Sequence, residues 1–285
     1  MTRFHPALRR SRILPVAVSA VAATLAASML FAPGSATADN SAKAVPAPPA
    51  VPTSADQIQN IDQVKTAIKG YYGDTIDPTR LNPIDAAPIH TFSPTGNYAA
   101  EMGGIVTDAE KYLKKPRATG DYQVGTGKKA VLFDVDDTLL NTYSYEIYSN
   151  FVFNPASNAA FVNSLTFRAV PHMVELEQYA ESKNYQIFFL TGRPESQRGG
   201  TVANLTNEGY DVNSSHLFLK DQLNQAWLAS CAPTCTTVQY KSLTRAHIES
   251  LGYNIVANFG DQFSDLKGGF ADKTFKLPNP MYFLP

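Results

Sequence analysis

Apolar residues recur along the 285-residue chain in two patterns. Ile58, Ile61, Val64 and Ile68 are spaced at three- and four-residue steps, which predicts an amphipathic helix from Ser54 as N-cap to Gly70 as stop. A second helix is predicted over 98–115, and the Pro- and Gly-punctuated stretch 71–96 reads as irregular. After Lys128 the pattern changes to short, nearly continuous apolar runs at 131–133, 186–190, 217–219, 254–258 and 274–277. Helical patterns at 172–183, 195–208 and 240–251 alternate with them. Runs apolar on both sides fit strands buried on both faces, and the alternation predicts an α/β fold: a parallel sheet flanked by helices, with a helical N-terminal extension. One aromatic-rich segment, 141–168, interrupts the alternation with Tyr143, Tyr145, Tyr148, Phe151, Phe153, Phe161 and Phe167.

Ligands of parallel sheets bind just past the strands' carboxyl ends, and four groups of polar residues fall there. Asp134 and Asp136 directly follow the 131–133 run. Carboxylates so close repel unless a cation, protons or aligned donors offset them, which points to a metal site, an acid/base pair or both. Thr191-Gly192-Arg193 follows the 186–190 run. A hydroxyl, a glycine that admits a close backbone N–H and the helix start near Glu195 would accept a phosphate, with an ordinary strand-to-helix turn as the alternative. Lys241, at the predicted start of helix 240–251, opposes the helix dipole and so requires an anion nearby, either a ligand or the aspartates; Lys220 competes for that role. Gly260-Asp261-Gln262-Phe263-Ser264-Asp265 follows the 254–258 run. Hard oxygen ligands on such a turn suit magnesium, and a capped turn with solvated acids is the alternative. An EF-hand is excluded, because Leu139 and Tyr145 stand where that loop requires Gly and Glu. Neither GxGxxG after a strand nor GxxxxGK[ST] occurs.

Composition adds an address and removes one class of partner. Arg3, Arg9, Arg10 and Arg12 precede an apolar stretch over 13–31 that ends in Ala36-Thr37-Ala38, the small-residue pattern of a signal-peptide cleavage site. Residues 1–38 therefore read as a signal peptide, Arg9-Arg10 leaving the twin-arginine route open, and Ala/Pro-rich 39–53 reads as a linker to a domain at 54–285. The stretch also approaches spanning length, so a retained anchor is the alternative; cleavage would leave a secreted protein without a stable membrane span. Loss of residues 1–38 leaves 20 of the 24 basic residues against 25 acidic ones, and no Lys/Arg run marks a nucleic-acid surface. Cys231 and Cys235, the only cysteines, are expected to form a short disulfide, and His90, His172, His216 and His247 are too scattered to complete a zinc site. The oligomeric state is not encoded in any recognisable pattern.

Taken in order and spacing, Asp134-Val135-Asp136-Asp137-Thr138, Leu190-Thr191-Gly192-Arg193, Tyr240-Lys241-Ser242 and Gly260–Asp265 resemble the haloacid dehalogenase (HAD) superfamily. The branch they resemble joins plant acid phosphatases and vegetative storage proteins with bacterial class B and class C acid phosphatases, and the ending 275–282 resembles its carboxyl terminus too. The resemblance covers about 55–285 and implies a Rossmann-like sheet with a small cap inserted over 141–168. It further implies hydrolysis of small-molecule phosphate monoesters, with Asp134 as nucleophile and Asp136 as general acid/base. Magnesium would be held by the Asp134 carboxylate, the Asp136 carbonyl, Asp261 and Asp265. Thr191, Gly192 and Lys241 would hold the phosphoryl group, while Arg193 would either reach the substrate or fasten its loop. A storage protein without activity, another superfamily reaction and a phosphotransferase are the rivals. The presence of both Asp134 and Asp136 favours phosphate-ester hydrolysis over the first two.

Overall fold

In the structure, a computed structural model that describes residues 53–54, 57, 60–115 and 127–285, the first regular element is α1 (Ile61–Tyr72). The expected signal peptide and, apart from Thr53, the expected linker lie outside the described residues. Helix α1 starts later than the apolar spacing predicts, because Asn60 and Gln63 form a reciprocal capping box: the Asn60 side chain accepts the Gln63 N–H at 3.0 Å, and the Gln63 side chain accepts the Asn60 N–H at 3.3 Å. It also runs past Gly70. Gly73, in the left-handed conformation at φ 66°, ends it instead. Only Ile68 and Tyr72 are buried; Ile61 and Val64 face solvent.

The stretch expected to be irregular forms a hairpin of β1 (Thr75–Leu81) and β2 (Pro88–Thr91). Pro78 and Pro88 hid it, yet both are tolerable in a two-stranded ribbon whose outer edges need no N–H donor. Helix α2 (Asn97–Lys114) follows and buries Tyr98, Met102, Val106, Ala109 and Leu113, a stripe at helical spacing.

The remaining elements are β3 (Lys128–Phe133), β4 (Leu140–Asn141), α3 (Tyr143–Tyr148), α4 (Pro155–Asn163), β5 (Arg168–Ala169), α5 (Met173–Ser182), β6 (Gln186–Pro194), α6 (Arg198–Asn207), β7 (Leu217–Lys220), α7 (Thr237–Ser250), β8 (Tyr253–Gly260), α8 (Phe263–Leu266) and β9 (Thr274–Lys276), with the expected alternation from α5 to β8 and four short elements, β4 to β5, in the aromatic-rich stretch. Five strands make one parallel sheet in the order β7-β6-β3-β8-β9, an α/β fold with helices packed against it. Strand β3 is central, and its side chains divide between two cores. Val131 and Phe133 join α2 and α5 on one face, and Ala130 and Leu132 join α7 on the other. This two-sided burial is why the run reads as continuously apolar. In register, Phe133 lies beside Phe189 of β6 and Phe259 of β8, so the residues after all three reach the same sheet edge.

Three boundaries differ in ways that matter for that edge. Strand β6 continues through Thr191, Gly192 and Arg193, and the helix expected near Glu195 opens as a 3-10 turn over 195–197 before α6 begins at Arg198. Helix α7 begins at Thr237, where Thr236 and Gln239 form a capping box, which puts Lys241 in the second turn and not at the helix start. Its charge therefore has a different partner from a helix end. Cys231 and Cys235 are disulfide-bonded in the loop before it.

Segment 141–168 carries α3 and α4 and is tied at its base by the antiparallel pair β4–β5. Tyr145, Phe161 and Phe167 are fully buried, with the Phe161 ring 5.5 Å from Tyr145 and 6.3 Å from Phe167 between centroids, so these rings hold the insertion together.

Glu177 on α5 is a buried carboxyl outside the sheet edge. Both of its oxygens lie away from solvent without a hydrogen bond, and burial followed by repulsion from Glu181 pushes its carboxyl up to about 8. Between the ordinary glutamate value and about 8 the unfolded chain releases a proton that the folded one keeps, so stability falls as pH rises across that window and levels off above it. Glu177→Gln should flatten this slope and raise stability at pH 8 by roughly 1–3 kcal/mol. Urea unfolding at pH 5 and pH 8 measures it, and an unchanged slope in the variant would refute the assignment.

Candidate active site

The chain turns sharply where it leaves β3. The Val135 carbonyl accepts the N–H groups of both Leu139 and Leu140 at 2.9 Å, and Asp137 takes a left-handed conformation at φ 52°, which Asp tolerates better than most residues. Asp137 itself is buried and spoken for. It accepts from the Thr142 N–H at 3.0 Å, the Thr142 hydroxyl at 2.5 Å and the Tyr282 hydroxyl at 2.7 Å. Its role is to lock the turn that aims Asp134 and Asp136.

Asp134 is held at the edge by its own N–H, which donates to the Phe259 carbonyl at 3.0 Å. Its carboxylate pairs with the Lys241 ammonium, which also reaches Asp265 at 3.1 Å and the Leu190 carbonyl at 2.5 Å. Lys241 is therefore fixed by two carboxylates and a strand-end carbonyl, which replaces the helix-dipole argument for it. Lys220, the competing candidate, is half-buried with its ammonium 5.8 Å from the centre of the Tyr240 ring; burial and the Lys241 charge lower its pKa.

Asp261 and Asp265 complete the cluster. The Asp261 N–H donates to the Thr138 hydroxyl at 3.1 Å, stitching the β8 loop to the β3 loop, and the Asp261 carboxylate accepts from Gln262 at 2.6 Å and Asn279 at 2.7 Å. Asp265 accepts the Gln262 N–H at 2.9 Å within the one-turn helix α8. A glycine is needed at 260, since a Cβ there would stand 2.4 Å from Asp265 Cβ.

One carboxylate oxygen from each of Asp134, Asp261 and Asp265 can be chosen so that all three lie within 4.8 Å of one another, and all three residues are buried. Burial pushes the Asp134 carboxyl well above the ordinary range; Lys241 opposes this, and Asp265, Asp261 and Asp136 add to it. Asp261 is raised too, first by burial and then by Asp265 and Asp137. Burial works against the Lys241 charge as well, but the Asp134 and Asp265 carboxylates hold its pKa up to about 12. One ammonium among three carboxylates leaves an excess of negative charge in a desolvated space. An oxygen-coordinated divalent cation fits both the donor set and the charge.

Asp136 points elsewhere. Its carboxylate, partly exposed, accepts a forked pair from Arg193, Nε to Oδ2 at 3.0 Å and Nη2 to Oδ1 at 2.6 Å. Arg193 is buried and anchors its own turn through its N–H to the Thr191 hydroxyl oxygen at 3.1 Å. Thr191, fully buried, also has its carbonyl held by the Tyr240 hydroxyl at 3.0 Å.

The structure thus brings Asp134, Lys241, Asp261 and Asp265 into direct contact or near contact, sets Thr191 one residue past Leu190, and places Asp136 beside them in the field of Asp134. Tyr282, Asn279 and Gln262 also serve this edge and were not singled out from the sequence. The 275–282 ending was noted only for its resemblance, because nothing in a tail's composition says which distant loop it meets. Glu146 on α3 is a further buried carboxyl, pushed up to about 7 by burial and then by the Asp136 charge. A groove of about 690 Å³ lined by Ile84, Tyr148, Val152 and Ala160 touches none of these carboxylates.

A family model described as HAD superfamily, subfamily IIIB (acid phosphatase) matches residues 81–285. The chain belongs to this family. It is 34% identical over 191 residues to acid phosphatase 1 of Solanum lycopersicum, covering 66% of this chain and 69% of that one. It is also 31% identical over 160 residues to vegetative storage protein 1 of Arabidopsis thaliana, covering 54% and 55% respectively, so the chain spans only about half of that relative. Among solved structures it shares its fold with the class C acid phosphatase from Bacillus anthracis, at a TM-score of 0.54 and 22% identity over 66% of this chain and 80% of that one. As a member of the acid phosphatase subfamily it is a phosphomonoester hydrolase, in a superfamily that generally uses a divalent metal. No helix among the described residues is long and apolar enough to cross a membrane.

Proposed function

We propose that this chain is an exported, magnesium-dependent acid phosphatase that turns over phosphate monoesters through an aspartyl-phosphate on Asp134. The observation that carries the reading is the Lys241 ammonium clamped between Asp134 and Asp265 at the carboxyl edge of the sheet, beside a three-carboxylate cluster. An Asp134 oxygen attacks phosphorus in line, the P–O bond to the leaving group breaks, and Asp136 gives its proton to the departing oxygen. Asp136 then takes a proton from water as that water attacks phosphorus, which breaks the acyl-phosphate bond and frees Asp134 and inorganic phosphate.

Charge is the main obstacle, since a carboxylate must approach a phosphate dianion. Lys241 offsets it from one side. The Thr191 hydroxyl oxygen already accepts from Arg193, so its proton is available to a phosphoryl oxygen, and Gly192 leaves the adjacent backbone open to close approach. Asp134, Asp261 and Asp265, with the Asp136 carbonyl, would hold magnesium, which supplies electrostatic stabilisation of the transferring group when bound. The storage-protein reading is disfavoured by the intact Asp134/Asp136 pair.

The test is p-nitrophenyl phosphate hydrolysis from pH 4 to 9 by protein recovered from the culture medium, whose chain should begin near Asp39. Chelator should reduce the rate by at least about 10²-fold and magnesium should restore it. A rate indifferent to both, or a protein retained in the cell with residues 1–38 attached, would remove the corresponding part of the proposal.

A further inference from the structure

Arg193 was open to two roles on sequence: holding the transferring phosphoryl group or fastening its loop. Its side chain leaves little room for the first. Nε and Nη2 donate to Asp136, and Nη1 donates to the Thr201 hydroxyl at 3.0 Å, so each guanidinium nitrogen is engaged within the protein. The guanidinium carbon lies 5.7 Å from the centre of the Phe167 ring, at the base of the inserted segment. The Arg193 side chain is 4% exposed and that of Asp136 is 29% exposed, so of the pair it is the carboxylate that is open to an incoming ligand.

We propose that Arg193 is the positioning residue of the acid/base step, fixing the plane of the Asp136 carboxylate toward the leaving group through a fork anchored on Thr201 and Phe167. The inference rests on reading Asp136 as the acid/base. Its physical basis is the rigidity of the guanidinium. Two parallel N–H bonds fix both the direction and the plane of a carboxylate, whereas a lysine in the same place offers a point charge that leaves the plane free. Thr201 on α6 and the ring of Phe167 hold the fork in turn, so Asp136 is set by a chain of contacts that never touches the phosphoryl group.

A role through Asp136 has a signature that phosphate binding lacks, because the need for a proton depends on the leaving group. Nitrophenolate departs readily without one, while an alkoxide does not. For Arg193→Ala, kcat on glycerol 2-phosphate should fall about 10²-fold to 10³-fold and kcat on p-nitrophenyl phosphate about 10-fold or less, with KM nearly constant on both. Arg193→Lys, which preserves charge and folding more surely, should show the same selectivity, and methylguanidine added to Arg193→Ala should restore part of the glycerol 2-phosphate rate. Adding Arg193→Ala to Asp136→Asn should cost little more than Asp136→Asn alone.

Equal losses on the two substrates in both Arg193 variants, or a rise in KM that accounts for the loss, would overturn the assignment and place Arg193 on the phosphoryl group. The underlying reading fails differently. If Asp136→Asn itself behaves like wild type on glycerol 2-phosphate, Asp136 is not the acid/base and the Arg193 inference falls with it.

Discussion

Asp134→Asn is expected to lower kcat for p-nitrophenyl phosphate by about 10⁴-fold or more and to abolish phosphate labelling of the protein in rapid-quench experiments. The substitution is nearly isosteric, and its amide oxygen can still accept from Lys241, so the arrangement of the loop survives while the atom that bonds to phosphorus is lost. Two electrostatic effects on stability oppose one another. Lys241 loses a charged partner, but a buried carboxylate that Asp265, Asp261 and Asp136 repel is replaced by a neutral amide. The melting temperature should therefore move little compared with the rate. A wild-type rate in this variant would sink the nucleophile assignment, and a large rate loss with retained labelling would move the covalent step to another carboxylate.

The second large effect is at Lys241, where rate and stability should fall together. Lys241→Met leaves the buried carboxylates of Asp134 and Asp265 without their shared cation, a loss worth about 3–5 kcal/mol when one partner of a buried pair is removed. The pH dependence has a definite sign. Without the ammonium, the folded Asp134 carboxyl rises further above its unfolded value, so the destabilisation is present at neutral pH and shrinks as pH falls and both states become protonated. In the wild type the folded Lys241 value of about 12 exceeds the ordinary lysine value, so its contribution is intact below the unfolded value and lost only as pH rises toward 12. Denaturant titrations at pH 4.5 and pH 8 separate these cases. Turnover in Lys241→Met should drop about 10³-fold, and Lys220→Met should cost far less of either property. The reverse order would exchange the two lysines' roles.

Much of the sheet edge was readable because each part announces itself locally. Val131, Leu132 and Phe133 alternate between two cores, so they must be apolar without a break, and the charged residues that follow mark where the strand leaves the interior. Lys241 sits deeper in its helix than the apolar pattern implies. The capping box of Thr236 and Gln239 is visible in the sequence and moves the helix start upstream, and the actual cause of its burial, a carboxylate 107 residues away, has no local trace. Asn60 and Gln63 likewise carry the spacing of a capping box, downstream of Ser54. The β1–β2 hairpin escaped because its prolines mimic loop punctuation, and only the pairing of the two strands makes them compatible with a ribbon. The fork from Arg193 to Asp136 depends on register between β6 and β3, which a pattern of apolar runs does not specify.

The contacts made by Asn279 and Tyr282 also set an order of events. The Tyr282 hydroxyl meets Asp137 across 145 residues of chain, and the Asn279 amide meets Asp261 across 18. Closing the longer loop carries the larger entropic cost and gains nothing until β3 and β8 already lie side by side. During synthesis the β3 turn leaves the ribosome well before the 279–282 segment does, and until then Asp137 and Asp261 must keep water in place of their last partners. Substrate-binding competence should thus arrive late in folding, after the sheet has formed, and slow steps in refolding should delay activity more than they delay secondary structure.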